Sequence, residues 1–311
     1  MPTDPITDLL DREEAVRVPS ELIDLACPLL RELVNHGTVT YERCQRSARG
    51  DEDEDLPVQL SYLHIIEMAD AIEVLLSNGC TYPAQPLLRS MFEALVAIEY
   101  MTERDYTRRS YAWMVGYVHG RLARYRRLNP ATAAGRELRE ALAGDRITAP
   151  FEAVRQEDAQ PATENLERLL ARSQYRDAEA EYQSVKKRRK RGNPTWHSLY
   201  DGPSSTRDLA RHVGKLGLYV ILYGPWSTVT HGADVSHWLT RTDEGTPAIY
   251  QLRNPLEFKS TAQWAVHFVL DATRLVNRKY TPYQKLDRWY RKDIQERYVR
   301  LTNVNVTLAD A

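Results

Sequence analysis

Residues 83 to 101 read PAQPLLRSMFEALVAIEYM, and apolar side chains occur on almost every side of the helix that this stretch predicts. A helix that is apolar nearly all round is normally central and buried. Three charged residues interrupt it, namely Arg89, Glu93 and Glu99. Because a lone buried charge is costly, each must be paired or must take part in a site. Arg89 and Glu93 are four positions apart and therefore share one face, which we interpret as the floor of a site.

The composition limits the compartment and the partners of the chain. Its 311 residues allow one large domain or two small ones, and the formal net charge of -1 gives no bulk attraction to nucleic acid or membrane. The start has no signal-peptide pattern, and no apolar run is long enough to span a membrane. The three cysteines are widely spaced without a CxxC pattern, which favours a reducing compartment over a disulfide framework or a zinc ribbon. We therefore expect a cytoplasmic protein without a membrane segment.

Helical periodicity continues through most of the chain. Further helices are predicted over about 20–46, 56–76, 105–127, 218–231, 257–278 and 283–300. Ser20 is the predicted N-cap of the first, and Asn78-Gly79 the predicted end of the second. Residues 195–205 are interpreted as a loop, and a small hairpin is expected around Gly245. No long alternating strand pattern occurs, so an all-α helical bundle is predicted.

The middle of the chain differs in composition from its flanks. Residues 131–195 are charged, rich in alanine and poor in large apolar side chains, which predicts a weakly packed, peripheral helical insertion. The domains expected are an N-terminal helical segment with an acidic loop (1–55), core helices (56–130), the insertion (131–195) and the second half of the core bundle with closing helices (196–311). Because apolar helices lie on both sides of the insertion, we predict one non-local core.

A second helix can complete a site with the first. The helix over 218–231 has one polar and aromatic face, made by Tyr219, Tyr223, Ser227 and His231. If it packs against the 83–101 helix, Arg89, Glu93, Ser227 and His231 converge. These groups can perform acid/base chemistry on a phosphodiester, with His231 as acid or base, Arg89 stabilising phosphate charge, Glu93 orienting a partner and Ser227 positioning the substrate. The alternative is a hydrogen-bonded network with a structural role only.

Several of these stretches together resemble a known pattern. They are LLRSMFEALVAIEYM, RRSYAWM, RDLARHVG after a tryptophan-containing loop, and LY…YGPWSTVTHG. The pattern resembles a family of bacterial all-helical domains of unknown function, marked by an RxxxE helix and a later YxxxSxxxHG helix. The resemblance spans about Leu56 to Gly232 and continues more loosely to about Val276.

In outline that family is similar to HEPN-type helical bundles, several of which are ribonucleases of toxin and phage-defence systems. The resemblance implies a HEPN-like bundle, a homodimer, and a metal-independent ribonuclease without a cofactor that acts on RNA. HEPN ribonucleases carry an R-x4–6-H motif, which fits residues 207–212 and 31–36. Because the first stretch lies within the resemblance, Arg207 and His212 form the alternative catalytic pair.

Two other features leave alternatives open. A basic run could bind phosphates or could simply be a solvated surface; its members are Lys186, Lys187, Arg188, Arg189, Lys190 and Arg191. His64 and Glu67 have a spacing seen in metal sites, but a di-metal carboxylate bundle needs Glu-x-x-His on two helices, and here the order is reversed without a second copy. No metal ligands are therefore assigned. A non-catalytic helical module that binds RNA or a protein partner is the competing function, and a metal-binding carboxylate and histidine bundle is a further alternative.

Overall fold

The computed structural model describes residues 6–48, 53–143, 159–189, 192–230, 238–241, 245–281 and 286–304. These residues are helical for the most part, so the predicted all-α helical bundle is confirmed. The chain divides into two compact units. We call residues 1–104 with 206–311 the bundle unit, and residues 105–205 the inserted unit.

The elements preceding the inserted unit are α1 (Glu14–Arg17), α2 (Ser20–Ser47), a 3-10 turn (Asp53–Asp55), α3 (Leu56–Ser77), a second 3-10 turn (Tyr82–Ala84) and α4 (Gln85–Glu103). The inserted unit contains α5 (Tyr106–Leu128), α6 (Ala133–Ala143), α7 (Ala159–Leu170), α8 (Arg176–Arg188) and 3-10 turns at Ser173–Tyr175 and Trp196–Asp201.

The elements after it are α9 (Thr206–His212), α10 (Leu216–Leu218), a π-helical turn (Tyr219–Tyr223), α11 (Gly224–Thr230), β1 (Leu239–Arg241), β2 (Pro247–Ile249), α12 (Phe258–Tyr280), α13 (Leu286–Trp289), a second π-helical turn (Tyr290–Ile294) and α14 (Gln295–Asn303). The two strands pair antiparallel, with Thr240 opposite Ala248, and form the expected small hairpin.

The core of the bundle unit lies between α2, α3, α4 and α12. Helix α3 packs against the other three, and α12 also packs against α2 and α4. On α4, Met91, Leu95, Val96 and Ile98 have no exposed surface, and each such burial stabilises the fold by about 1.5–3 kcal/mol. Phe92 packs against Phe268 of α12 with 6.1 Å between ring centroids. The core therefore joins helices that are far apart in sequence.

Two predicted helix starts differ from the structure. Ser20 is the first residue of α2 rather than its N-cap, because Pro19 occupies the cap position and its carbonyl accepts the first bond, from the Ile23 amide at 2.9 Å. The central helix begins at Gln85 rather than Pro83, since residues 82–84 form a tighter 3-10 turn.

The inserted unit has a hydrophobic core of its own, made by Ala112, Met114, Val115, Tyr175, Ala178, Tyr182 and Leu199. This differs from the expected weak packing, because the rings of Tyr175 and Tyr182 supply apolar area in a segment with few aliphatic side chains. Helix α5 packs against α6, α7, α8 and the 196–201 turn, so this unit begins at residue 105 rather than at 131. Residues 196–201, interpreted as a loop, contain 3-10 turns that are interrupted at Leu199 and Tyr200, where the backbone is not helical.

In the described part of the chain, no helix combines the length and the apolar character that crossing a membrane requires.

Two glycines end helices in the same backbone conformation and allow a matched test. Gly79 follows α3 with φ of +68°, and Gly214 follows α9 with φ of +74°. A Cβ on Gly79 would lie 2.4 Å from the backbone oxygen of Ala15, whereas a Cβ on Gly214 would meet nothing within 4 Å. We expect Gly214→Ala to lower the free energy of unfolding by about 1–2 kcal/mol through left-handed strain, and Gly79→Ala by a further 1–3 kcal/mol through the clash. Urea unfolding of both variants measures the difference, and equal losses would contradict the close approach of α1 to the end of α3.

Candidate functional site

The candidate site lies where α4 packs against α11 and the π-helical turn that precedes it. A π-helical turn inserts an extra residue into a helix, and such turns are frequent at functional sites. Here Tyr219 and Tyr223 stack with ring centroids 4.6 Å apart. Side chains four residues apart on a helix are neighbours, so this contact agrees with the predicted face. The polar face predicted for this helix is therefore directed at α4, where Tyr223 contacts Arg89.

Arg89 is the centre of the site. Its Nη2 donates to Tyr223 Oη at 2.9 Å, its Nη1 to Ser227 Oγ at 3.3 Å, and its Nε to Glu93 Oε1 at 3.3 Å. The guanidinium also lies over the Tyr223 ring, 4.6 Å from the centroid, in a cation-π contact. Three of the four predicted residues, Arg89, Glu93 and Ser227, therefore converge on one point.

Tyr223 connects Arg89 to Glu93. Its hydroxyl donates to Glu93 Oε1 at 2.7 Å while it accepts from Arg89. Burial and the nearby Glu93 carboxylate raise the pKa of Tyr223 to about 12, so the hydroxyl stays protonated at neutral pH. Burial opposes the charge of Arg89, but the hydrogen bond to Tyr223 and the charge of Glu93 outweigh it, and the pKa of Arg89 is raised. Tyr223 therefore acts as a neutral bridge between a cation and an anion.

The network is open to solvent on one side. The side chain of Arg89 is 21% exposed and that of Glu93 46%, whereas Tyr223 is only 9% exposed. Arginine has five N–H donors, of which three are used among the described residues. One N–H remains on each terminal nitrogen. These two N–H donors match two oxygens of a phosphate or carboxylate, which arginine prefers to bind through both terminal nitrogens.

An imidazole contacts the residue that follows Arg89 on α4. His64 on α3 has its Nε2 2.7 Å from Ser90 Oγ, and Ser90 follows Arg89 on α4. The same ring is 3.8 Å from Glu67 through Nδ1, and its side chain is 39% exposed. From the sequence, His64 is predicted only as a possible metal ligand. His64 lies in the apolar α3, and the short connection between α3 and α4 predicts that these helices are antiparallel neighbours. This pattern could have predicted that His64 contacts α4.

The remaining predicted residues lie elsewhere or outside the described residues. His231, Lys190 and Arg191 belong to the residues outside the described ranges. Lys186, Lys187 and Arg188 form the exposed last turn of α8, and Arg189 follows it.

The two residues of the alternative catalytic pair lie on different sides of one helix. Arg207 and His212 are five positions apart on α9, which places them about 140° apart around the axis. His212 Nε2 lies 2.8 Å from Glu103 Oε2, and its ring meets Tyr100 edge-on. In the second matching stretch, Arg31 pairs with Glu73 at 2.6 Å and His36 stacks on Trp289. His212 and Arg31 therefore have carboxylate partners, whereas no ion pair of Arg207 is found among the described residues and His36 Nε2 is buried without a hydrogen-bond partner there.

Within the ranges that the structure describes, no cluster of three or more histidine, cysteine, aspartate or glutamate side chains could hold a metal ion. All three cysteines are free thiols.

The fold and the site together define an all-α protein with an arginine-centred polar network between two helices of its bundle. Comparison with family models then gives the family. Residues 55–246 match a family of unknown function, DUF5677, and the chain belongs to it. The match begins one residue before α3 and extends to the hairpin, so it contains Arg89, Glu93, Tyr223 and Ser227. No curated protein and no solved structure matches the chain.

Removal of one oxygen tests the bridge. Tyr223→Phe deletes the hydroxyl that links Arg89 to Glu93, and we expect the free energy of unfolding to fall by about 1–2 kcal/mol. Tyr219→Phe is the matched control, because the Tyr219 hydroxyl has no hydrogen-bond partner among the described residues, and its effect should stay within about 0.5 kcal/mol. Urea unfolding compares the two. Equal effects would contradict a bridging role for Tyr223.

The same bridge should be sensitive to high pH. An unfolded tyrosine titrates near pH 10, whereas the pKa of Tyr223 in the folded protein is raised to about 12. Below about pH 10 both states hold this proton; above it the unfolded chain loses the proton first, so the stabilisation declines as the pH rises towards 12. The stability difference between the wild type and Tyr223→Phe should therefore be constant from about pH 8 to 10 and shrink above that. A difference that is independent of pH or that grows would contradict the shift.

Proposed function

We propose that this chain is a HEPN-like, metal-independent ribonuclease in which Arg89 binds the phosphate that is cleaved. One observation carries the proposal: Arg89 is oriented by three side chains, and the two N–H donors that remain lie in a partly exposed guanidinium. A preoriented cation of this kind stabilises the charge that develops on a phosphate in the transition state.

The other side chains take roles that follow from their contacts. Tyr223 and Glu93 hold the guanidinium in one orientation, and Ser227 positions the substrate beside it. RNA supplies its own nucleophile: the 2′-oxygen bonds to phosphorus as its proton passes to a base, and the bond to the 5′-oxygen breaks as that oxygen takes a proton. His231 is the acid/base residue proposed from the sequence alone. His64 is hydrogen-bonded to Ser90, the residue that follows Arg89 on α4.

The wider setting of the proposal follows from the resemblance to HEPN-type bundles. The protein would act on RNA in the cytoplasm, as a homodimer, in a bacterial stress or phage-defence system. The basic run from Lys186 to Arg191 would contact RNA phosphates, since its described members are exposed cations.

A non-catalytic module that binds RNA or a protein partner is the second candidate. It is favoured by the hydrogen bonds among Arg89, Glu93 and Tyr223, because they engage the carboxylate and the hydroxyl with each other and leave only N–H donors of Arg89 for a ligand. In that case Arg89 would bind without accelerating any reaction.

RNA cleavage by the purified protein tests the proposal. The wild type should cut a labelled single-stranded RNA in the presence of EDTA, leaving a 2′,3′-cyclic phosphate. Arg89→Ala should lower kcat/KM by about 10²–10³, because it removes a charge-stabilising group. Arg89→Lys should fall between the two, since an ammonium keeps the charge but cannot bind two oxygens through a fork.

The chain offers a matched control for this arginine. Arg121 on α5 is also hydrogen-bonded to two tyrosines, Tyr117 at 3.0 Å and Tyr125 at 2.8 Å, but it lies in the inserted unit. Arg121→Ala should leave cleavage unchanged.

If the wild type binds RNA without cutting it, the non-catalytic module is the better function. If folded Arg89→Ala cuts RNA as well as the wild type does, the catalytic site is elsewhere. Loss of cleavage in EDTA would overturn the metal-independent part.

A further inference from the structure

A pocket adjoins the Arg89 network in the bundle unit. Its volume is 360 Å³, which is within the range of small-molecule sites. One wall is the turn that leads into α4, with Thr81 and Gln85. A second wall is the π-helical turn and α11, with Trp226, and the third is the segment from Trp238 to Glu257. The pocket is therefore built from the same two helices as the Arg89 network.

The third wall is held in place by hydrogen bonds to distant parts of the unit. The Leu252 amide donates to the carbonyl of Leu9 at 3.0 Å, and Arg253 Nη1 donates to the carbonyl of Asn78 at 2.7 Å. The second bond anchors this wall to the end of α3, close in sequence to the first wall. The pocket is thus formed before any ligand is bound, which lowers the entropic cost of binding.

Polar groups without partners face or line this pocket. Thr81 is 1% exposed, and its Oγ1 is buried without a hydrogen-bond partner in the described structure. The Gln85 side chain is also buried, at 9% exposure, and its amide makes no hydrogen bond to any described residue. Asn254 Oδ1 accepts from the Leu256 amide at 2.9 Å, which leaves its NH2 group to donate. Buried polar groups are normally paired, so the unpaired side-chain amide of Gln85, together with the NH2 group of Asn254, indicates a ligand with both donors and acceptors.

The rest of the lining is apolar and aromatic. Trp226 is 5% exposed and Trp238 is 37% exposed, and leucine and isoleucine side chains complete the walls. An acyl chain would satisfy these walls but would leave the buried side-chain amide of Gln85 unpaired, at a cost. The Glu257 carboxylate also lines the pocket and disfavours an anionic group. The combination fits a flat, uncharged aromatic ring with hydrogen-bonding groups on its edge.

The pocket and the Arg89 network occupy consecutive turns. Gln85 precedes Arg89 by four residues, one turn or about 5.4 Å along α4, and Trp226 is adjacent to Ser227 on α11. A ring in the pocket and an anion on Arg89 would therefore be near neighbours.

From this arrangement we propose that the pocket binds one unpaired nucleobase of the nucleic acid whose phosphate is held by Arg89. Single-stranded RNA is commonly recognised in this way, with a base inserted among aromatic side chains and hydrogen-bonded along its edge. The link between base and phosphate rests on the proposed function, whereas binding of the base itself does not.

Equilibrium dialysis of the full chain with the four ribonucleosides tests the pocket without any phosphate. At least one nucleoside should bind at millimolar concentration or below. Gln85→Leu, which keeps the shape but removes the amide, should weaken that binding about tenfold, and Trp238→Leu should weaken it similarly. Val220→Ala is the matched control, because Val220 is 56% exposed, adjoins Ile221 and does not line the pocket; it should bind as the wild type does.

Two further measurements separate the pocket from the phosphate site. Arg89→Ala should bind the nucleoside as the wild type does but should lose the additional affinity that a nucleoside 3′- or 5′-monophosphate gains. If the nucleoside binds and Gln85→Leu weakens it while no RNA is cut, the pocket stands and the ribonuclease proposal fails.

Three outcomes would overturn the base pocket. The first is no binding of any nucleoside by a folded wild type. The second is equal binding by Gln85→Leu, which would mean that the edge of the ring is not recognised. The third is preference for naphthalene or dodecanoate over every nucleoside, which would mean a site for a purely apolar ligand.

Discussion

Burial of α4 between α3 and α12 is the constraint on which the rest of the bundle unit depends. The helix has apolar side chains on nearly every side, and most of them are completely excluded from solvent. Hydrophobic burial of this extent requires partners on several sides, and the chain supplies one from an adjacent segment and one from beyond the inserted unit. The chain must therefore leave the core of the bundle unit after residue 104 and return to it at residue 206, where the helices that complete this core follow.

The same burial restricts where charge can lie on α4. Glu99 pairs with Lys215 at 3.0 Å, and Arg89 pairs with Glu93 and Tyr223. Both pairs are partly exposed, but Lys215 has a second carboxylate, that of Asp271 on α12, at 4.0 Å. Arg89 instead keeps two N–H donors without a partner among the described residues. The difference between these two pairs is what makes Arg89 the candidate for ligand binding and Glu99 a residue of the internal ion-pair network.

Much of this could be predicted from sequence, for physical reasons. The composition of residues 83–101 indicates burial, and the i, i+4 spacing of Arg89 with Glu93 and of Tyr223 with Ser227 predicts two faces that can meet. The importance of Tyr223 itself was missed, because the π-helical turn at 219–223 alters the local geometry and has no clear sequence signature. The core of the inserted unit was missed because the segment has few large apolar side chains, whereas the rings of Tyr175 and Tyr182 supply much of the buried area. The pocket was missed because its walls come from three separate segments and no periodicity connects them.

The central claim is that Arg89 holds a phosphate of RNA. The most direct measurement is a crystal structure of the protein with a short RNA whose 2′-hydroxyl at the scissile position is replaced by hydrogen, so that cleavage cannot occur. We expect two oxygens of one phosphate to lie about 2.7–2.9 Å from Nη1 and Nη2 of Arg89, with Tyr223 still bonded to Glu93. RNA bound only along the basic run at 186–189, with Arg89 unchanged and uncontacted, would contradict the claim.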